Sequence, residues 1–216
     1  LPHLTHSHYR LTGPVIQIVV GLDNASERET WCLPKALISH HSSFLKAACS
    51  QPFKEKEENC IFLPEDNAKV FGFFVQWMYY AKYEEPNPTL FSSSIHAKAC
   101  VLGDKFISKV FKNYAMGRLY AAHVSLQLLM GPADMVYMLE NTIPHSELFR
   151  FYLDFLATNL GSDVVVGTKM DWDEVVLDYE EVRIAMLQVL MAGPTRLDFV
   201  RPLESYLDKE STSTDN

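Results

Sequence analysis

Apolar residues follow two rhythms along this 216-residue chain. The first is short and continuous. Val15 to Val20 is an apolar, β-branched run ending at Gly21, which predicts a strand. The polar stretch Leu22 to Arg28 reads as a hairpin loop, and Thr30 to Leu33 as the returning strand. Pro34 suits the first position of a helix, because its missing N–H costs nothing there. Short helical stretches carrying Leu37, Phe44 and Leu45 follow, then a small strand, Cys60 to Leu63, closed by Pro64-Glu65-Asp66.

The second rhythm has the period of an α-helix. Val70, Phe74, Trp77 and Ala81 recur at i, i+4, i+7 and i+11, and Phe71, Phe73 and Met78 widen that stripe almost all round. Such a helix belongs in the centre of a core, and Asp66 or Asn67 can cap it by accepting a bond from an orphan N–H. After the Pro-rich turn Glu85 to Pro88, a serine cluster opens a helix carrying Ile95, Ala99, Leu102 and Phe106. A third stripe runs through Ile107, Val110, Phe111 and Tyr114, antiparallel to the last if a turn falls near Asp104 to Ser108. Gly131-Pro132 is the candidate boundary, with Pro132 starting a fresh helix and Gly131 ending the previous one. Beyond it, Met135 to Leu139 and Leu148 to Leu160 read as helices, the second stopped by Gly161. Ser162 to Asp178 is ambiguous, with a β-like run at Val164 to Val166. Val182, Ala185, Met186 and Val189 form the last stripe, ended by Gly193-Pro194.

Composition narrows the function. Apolar content of 48% and charged content of 21% are those of a globular chain. The net charge of −8 disfavours nucleic-acid binding, which requires concentrated Lys and Arg to displace counterions. The longest apolar run, Val70 to Ala81, falls short of the roughly 20 residues that span a bilayer, so no membrane association is expected. Four scattered cysteines, Cys32, Cys49, Cys60 and Cys100, read as buried thiols and place the chain in the cytoplasm or nucleus.

The block from Trp31 to Tyr83 resembles a BTB/POZ domain. Ile16 to Gly21 matches that family's first core strand, and Trp31 and Lys35 sit where an aromatic and a lysine flank the hairpin return. Ser43-Phe44 is similar to its serine–aromatic pair. Leu63-Pro64-Glu65-Asp66, Trp77-Met78-Tyr79 and Leu102-Gly103-Asp104-Lys105 resemble its later signatures, in order and at matching spacing over about residues 15–120. Tyr137 to Thr142 and Leu148-Phe149-Arg150 resemble the helical extension of filamentous-fungal BTB proteins. Two positions depart from the pattern. Val15 replaces an aspartate tied to dimerisation and corepressor binding, and Pro34 replaces a histidine. The resemblance implies an α+β fold, a small sheet flanked by a helical bundle. It implies a BTB/POZ domain over 15–125, a helical extension over 131–207, and flexible ends at 1–14 and 208–216.

The function so implied is non-catalytic protein–protein interaction. Phe53-Lys54-Glu55 matches the hydrophobic-x-Glu element by which some BTB domains engage a cullin, making Phe53 and Glu55 the candidate partner-binding residues of a ubiquitin-ligase adaptor. The bland reading is that Phe53 closes the domain's own core. The alternative function is a homo-oligomerising scaffold or regulator with no ligase link. No cofactor or metal is expected: His3, His6, His8 and the pair His40-His41 lack partner ligands at zinc-binding spacing. No nucleophile elbow, phosphate loop or dinucleotide fingerprint is present, and the acidic cluster Asp171, Asp173 and Glu174 reads as a loop or helix start. Trp77, Tyr79, Tyr80 and Tyr83 could form an aromatic cage, but their helical spacing assigns most of them to the core.

Overall fold

A computed structural model describes residues 13–22, 28–50, 59–85, 93–192 and 198–209. The chain is α+β: a three-stranded mixed sheet and, among the described residues, nine α-helices. It divides into two compact units. The first comprises residues 1–86 and 98–114, the second residues 87–97 and 115–216, so Gly131-Pro132 lies inside the second. The N-terminal histidines, the hairpin tip, Phe53 to Glu55, the Pro-rich turn and Gly193-Pro194 lie outside the described residues.

In the first unit, β1 (Val15–Val20) is the central strand. It pairs antiparallel with β2 (Glu29–Pro34), Ile18 opposite Trp31, and parallel with β3 (Cys60–Leu63), Ile18 opposite Ile61. Ile16, Ile18 and Val20 are buried at the strand's two-residue period, and Val19 is buried as well. Gly21 ends the strand at φ +97°, a conformation only glycine adopts without cost, and its N–H donates to the Leu63 carbonyl at 3.0 Å. Pro34 closes β2 and serves as the N-cap of α1 (Lys35–His41), one position earlier than its sequence suggested. Helix α2 (Ser43–Ser50) follows directly.

Helix α3 (Ala68–Tyr80) is the core element its pattern predicted, with Val70, Phe71, Phe73, Phe74, Trp77 and Met78 buried. Asn67 is the cap, its Oδ1 accepting from the Val70 N–H at 3.1 Å. The stripe breaks at Ala81. That residue adopts the left-handed conformation that stops the helix and is exposed. Helices α4 (Ser93–Lys105) and α5 (Lys109–Tyr120) supply Phe111 and the flanking Phe106 to an aromatic core with α3. Phe74 sits 4.9 Å from Phe111 and 5.3 Å from Phe106, and Phe73 stacks on Tyr83 at 4.8 Å. Edge-to-face and offset pairs of this kind add about 0.5–1.5 kcal/mol each beyond area burial.

In the second unit, a π-helical turn (Ala121–Ser125) ends the α5 rod. Helix α6 (Pro132–Asn141) starts with Pro132 at its first turn, and Gly131 is its N-cap rather than the end of the preceding helix. Helix α7 (Glu147–Asn159), capped by Ser146, buries Phe149, Phe151, Tyr152, Phe155 and Leu156. The ambiguous segment resolves into a single parallel bridge, Val165 to Met130, then α8 (Lys169–Asp178). Helix α9 (Glu180–Ala192) packs on α7 and α8. A short 3-10 turn (Leu203–Tyr206) then buries Tyr206. Its hydroxyl donates to Asp154 Oδ2 at 2.7 Å and accepts from the Arg201 N–H at 2.9 Å. Burial pushes that phenol well above its ordinary pKa.

Candidate interaction surfaces

Three pieces singled out in the sequence meet in the first unit. Lys105 Nζ pairs with Asp66 Oδ2 at 2.8 Å, joining the Leu63 to Asp66 and Leu102 to Lys105 segments, and the Asp66 side chain is largely buried. Lys112 Nζ pairs with Asp104 at 2.8 Å. Gly103 is required by close packing: a Cβ there would meet the Lys112 backbone nitrogen and Cα at 2.9 Å. Ser43 proves less important than its neighbour. Buried Ser42 donates from Oγ to the Phe106 carbonyl at 2.7 Å and accepts from the Leu45 N–H at 3.0 Å, fixing the α1–α2 junction to the α4–α5 turn.

The turn between α4 and α5 departs from its expected pattern. The Ser108 N–H donates to the Gly103 carbonyl and the Ile107 N–H to the Asp104 carbonyl, both at 2.9 Å. This is a Schellman termination, in which the residue at the Ile107 position is left-handed and is usually glycine. Ile107 occupies it at φ +50°. A β-branched residue there is a steric outlier. Ile107 is also 67% exposed, and Val110 on the next turn is 70% exposed. Neither belongs to the buried stripe, which instead runs through Phe111, Ala115, Met116 and Leu119. The turn takes Ile107 out of helical register, so the period starts afresh at Lys109.

Helix α9 carries a second exposed apolar face. Val182, Ala185, Met186 and Val189 turn toward the unit as expected. Ile184, Leu187 and Met191, at i, i+3 and i+7, lie on the opposite side, within about 60° of one another at 3.6 residues per turn. Leu187 is 54% and Met191 86% exposed, and Leu190 flanks them. Arg183 Nη1 donates to the Val176 and Leu177 carbonyls at 2.8 and 2.7 Å, holding α9 against the C-terminal end of α8.

The remaining candidates resolve one by one. Phe53 and Glu55 lie between α2 and β3, outside the described residues. Trp77 and Tyr83 are buried, whereas Tyr79 and Tyr80 are exposed and form no cage with them. His41 sets its ring edge-on to Trp77 at 5.1 Å. Among the described residues, no three His, Cys, Asp or Glu side chains converge as a metal site would require. All four cysteines are thiols, but Cys32 is exposed and Cys49 half-buried, contrary to the expectation of burial. Cys32 alternates with the buried Leu33 along β2 and therefore faces outward. Burial raises the Cys49 thiol pKa.

Asp171 opens α8 in a capping box with Thr168. Its carboxylate accepts from the Thr168 N–H at 2.7 Å, and that bond lowers its pKa. Asp173 pairs with Lys169 at 2.8 Å, and Asp171, Asp173 and Glu174 are all exposed. The Thr168-x-x-Asp171 spacing was the missed signal for this helix. Among the described residues, no helix is long and apolar enough to cross a membrane.

No protein-family model matches this sequence, and no curated protein is significantly similar to it.

Proposed function

We propose that the chain is a non-catalytic protein–protein interaction module whose first unit is of the BTB/POZ type. The α9 stripe carries this reading. Ile184, Leu187 and Met191 are held in water on a helix whose other face is already packed, and contiguous exposed apolar surface of this kind marks binding sites. Ile107 and Val110 give the first unit an apolar surface of its own. The BTB assignment is supported by the sheet order β2-β1-β3 and by the Asp66–Lys105 pair that joins two of the motifs carrying the resemblance. In this reading the first unit recruits a cullin scaffold, with Phe53 as the aromatic anchor and Glu55 setting its register, while α9 holds the protein to be modified.

The i, i+3, i+7 spacing of the stripe also favours a second reading, a homo-oligomeric scaffold. That spacing is the seam of paired helices, and a two-fold pairing would bury it against itself.

Light scattering separates the two readings. The mass is measured alone, then with a purified cullin N-terminal domain. A stoichiometric complex abolished by Phe53→Ala or Glu55→Ala supports the adaptor. A dimer alone, made monomeric by Leu187→Lys with Met191→Lys and indifferent to cullin, supports the scaffold. A monomer that binds no cullin removes both.

A further inference from the structure

The second unit contains an open cleft of about 190 Å³ that plays no part in either reading above. Tyr120, His123, Phe155, Asn159, Asp198 and Val200 are among its walls. The segment carrying Asp198 and Val200 is fixed in place. Thr158 Oγ1 accepts from the Phe199 and Val200 N–H groups at 2.9 and 3.1 Å, and the Tyr120 hydroxyl donates to the Arg201 carbonyl at 3.2 Å.

Several acceptors stand among the polar groups of the walls, beside the amide of Gln127. His123 Nδ1 lies 3.1 Å from the Leu128 carbonyl. A carbonyl only accepts, so in the neutral ring Nδ1 bears the hydrogen and Nε2 is a lone-pair acceptor. The residue is 2% exposed, and Nε2 has no hydrogen-bond partner among the described residues. A buried polar atom left this way costs about 1–3 kcal/mol. His123 stands in the π-helical turn, a feature that recurs at functional sites because it re-aims side chains. Asn159 donates one amide hydrogen to the Phe155 carbonyl at 3.0 Å, and its amide oxygen is an acceptor. Asp198 accepts from the Val200 N–H with one carboxylate oxygen, and its second oxygen is a further acceptor. Acceptors and one anionic group thus stand in a cleft whose walls also include the Gln127 amide and the rings of Tyr120 and Phe155. Burial keeps the imidazole neutral by lowering its pKa to about 4, so His123 adds no competing positive charge.

We propose that this cleft binds a small organic amine, its ammonium donating to Asp198 and Asn159 and its short apolar body lying against Phe155 and Tyr120. Aromatic faces attract cations, a donor-bearing guest suits an acceptor-lined wall, and the net charge of −8 favours a cation on approach. The volume suits a single ring with a one-carbon arm. It exceeds the roughly 150 Å³ of an engineered cavity that accepts benzene.

Benzylamine is the probe, titrated by calorimetry into the full chain at neutral pH, with benzyl alcohol and benzoate as neutral and anionic counterparts. The expected result is one-to-one saturation by benzylamine, at least tenfold weaker binding of benzyl alcohol, and none of benzoate. Asp198→Asn, at an exposed position, should weaken benzylamine at least tenfold without changing the melting temperature. Filling the cleft with Val200→Trp should abolish binding. Absence of saturation, equal affinity for the three compounds, or indifference to Asp198→Asn would overturn the proposal.

Discussion

Replacing Ile107 with glycine should make the protein more stable, although it deletes a large apolar side chain. Ile107 is held at φ +50° by the two turn-closing bonds to Gly103 and Asp104. The left-handed conformation costs an L-residue about 1–2 kcal/mol, and a β-branched one sits at the upper end. Glycine removes that strain but loses more backbone entropy on folding, about 0.5–1 kcal/mol. The side chain is 67% exposed, so its lost burial is minor. The net gain is about 0.5–1 kcal/mol. With a urea slope of about 1–3 kcal/mol/M, the midpoint should rise by about 0.2–1 M. The assay is equilibrium urea unfolding followed by tryptophan fluorescence, since Trp31 and Trp77 both pack within the first unit. A lower midpoint for the glycine variant would refute the reasoning, showing that Ile107 contributes more by contact than it loses by strain. A stabilising change that also weakens partner binding would show that the strained isoleucine is retained for recognition.

Four further outcomes follow from the packing. Gly103→Ala should lower stability by about 1–2 kcal/mol through its 2.9 Å clash with Lys112, whereas Gly72→Ala should raise it by about 0.5–1 kcal/mol. In α3 an alanine at position 72 meets only Trp31 at 3.9 Å, so urea midpoints of opposite sign are expected from two glycines of one unit. Ser42→Ala should cost about 1–3 kcal/mol, because it leaves the buried Leu45 N–H without its acceptor and removes the donor to Phe106. His123 makes the second unit acid-sensitive. Its pKa falls from 6.5 to about 4 on folding because burial disfavours the imidazolium, so the unfolded chain takes up the proton first. Stability is then full above about pH 6.5, declines as pH falls through that window, and by about pH 4 has dropped by roughly 3 kcal/mol. A pH series of melting temperatures on wild type and His123→Phe checks this, with a flatter profile expected for the variant. Asn67→Ala should cost about 1 kcal/mol through the lost α3 cap, read from the same urea transition.

The sequence by itself determined those elements whose signal is local. Strand β1 lies where its continuous β-branched run placed it and helix α3 where its period did, because one-sided burial of a helix imposes a 3.6-residue repeat that survives without knowledge of the partner. The α3 cap was legible as Asp66 or Asn67 because such an acceptor lies within three residues of the N–H it serves, and the structure has Asn67. The α+β class, expected from the BTB/POZ resemblance, is the class observed. Helix α8 was legible in principle through Thr168 and Asp171, but its weak apolar periodicity hid it behind the β-like valines.

Only the tertiary structure decided which apolar residues stay in water. Ile107 and Val110 fit a helical stripe on paper, and a turn set by bonds to Gly103 and Asp104 takes them off it. On α9, Val189 and Met191 are chemically alike, and contact with α7 and α8 alone selects which face is covered. The parallel pairing of β3, the Asp66–Lys105 pair and the cleft around His123 each join residues far apart in the chain. No periodicity within one segment encodes such distances, because they depend on how separate elements close over a shared core.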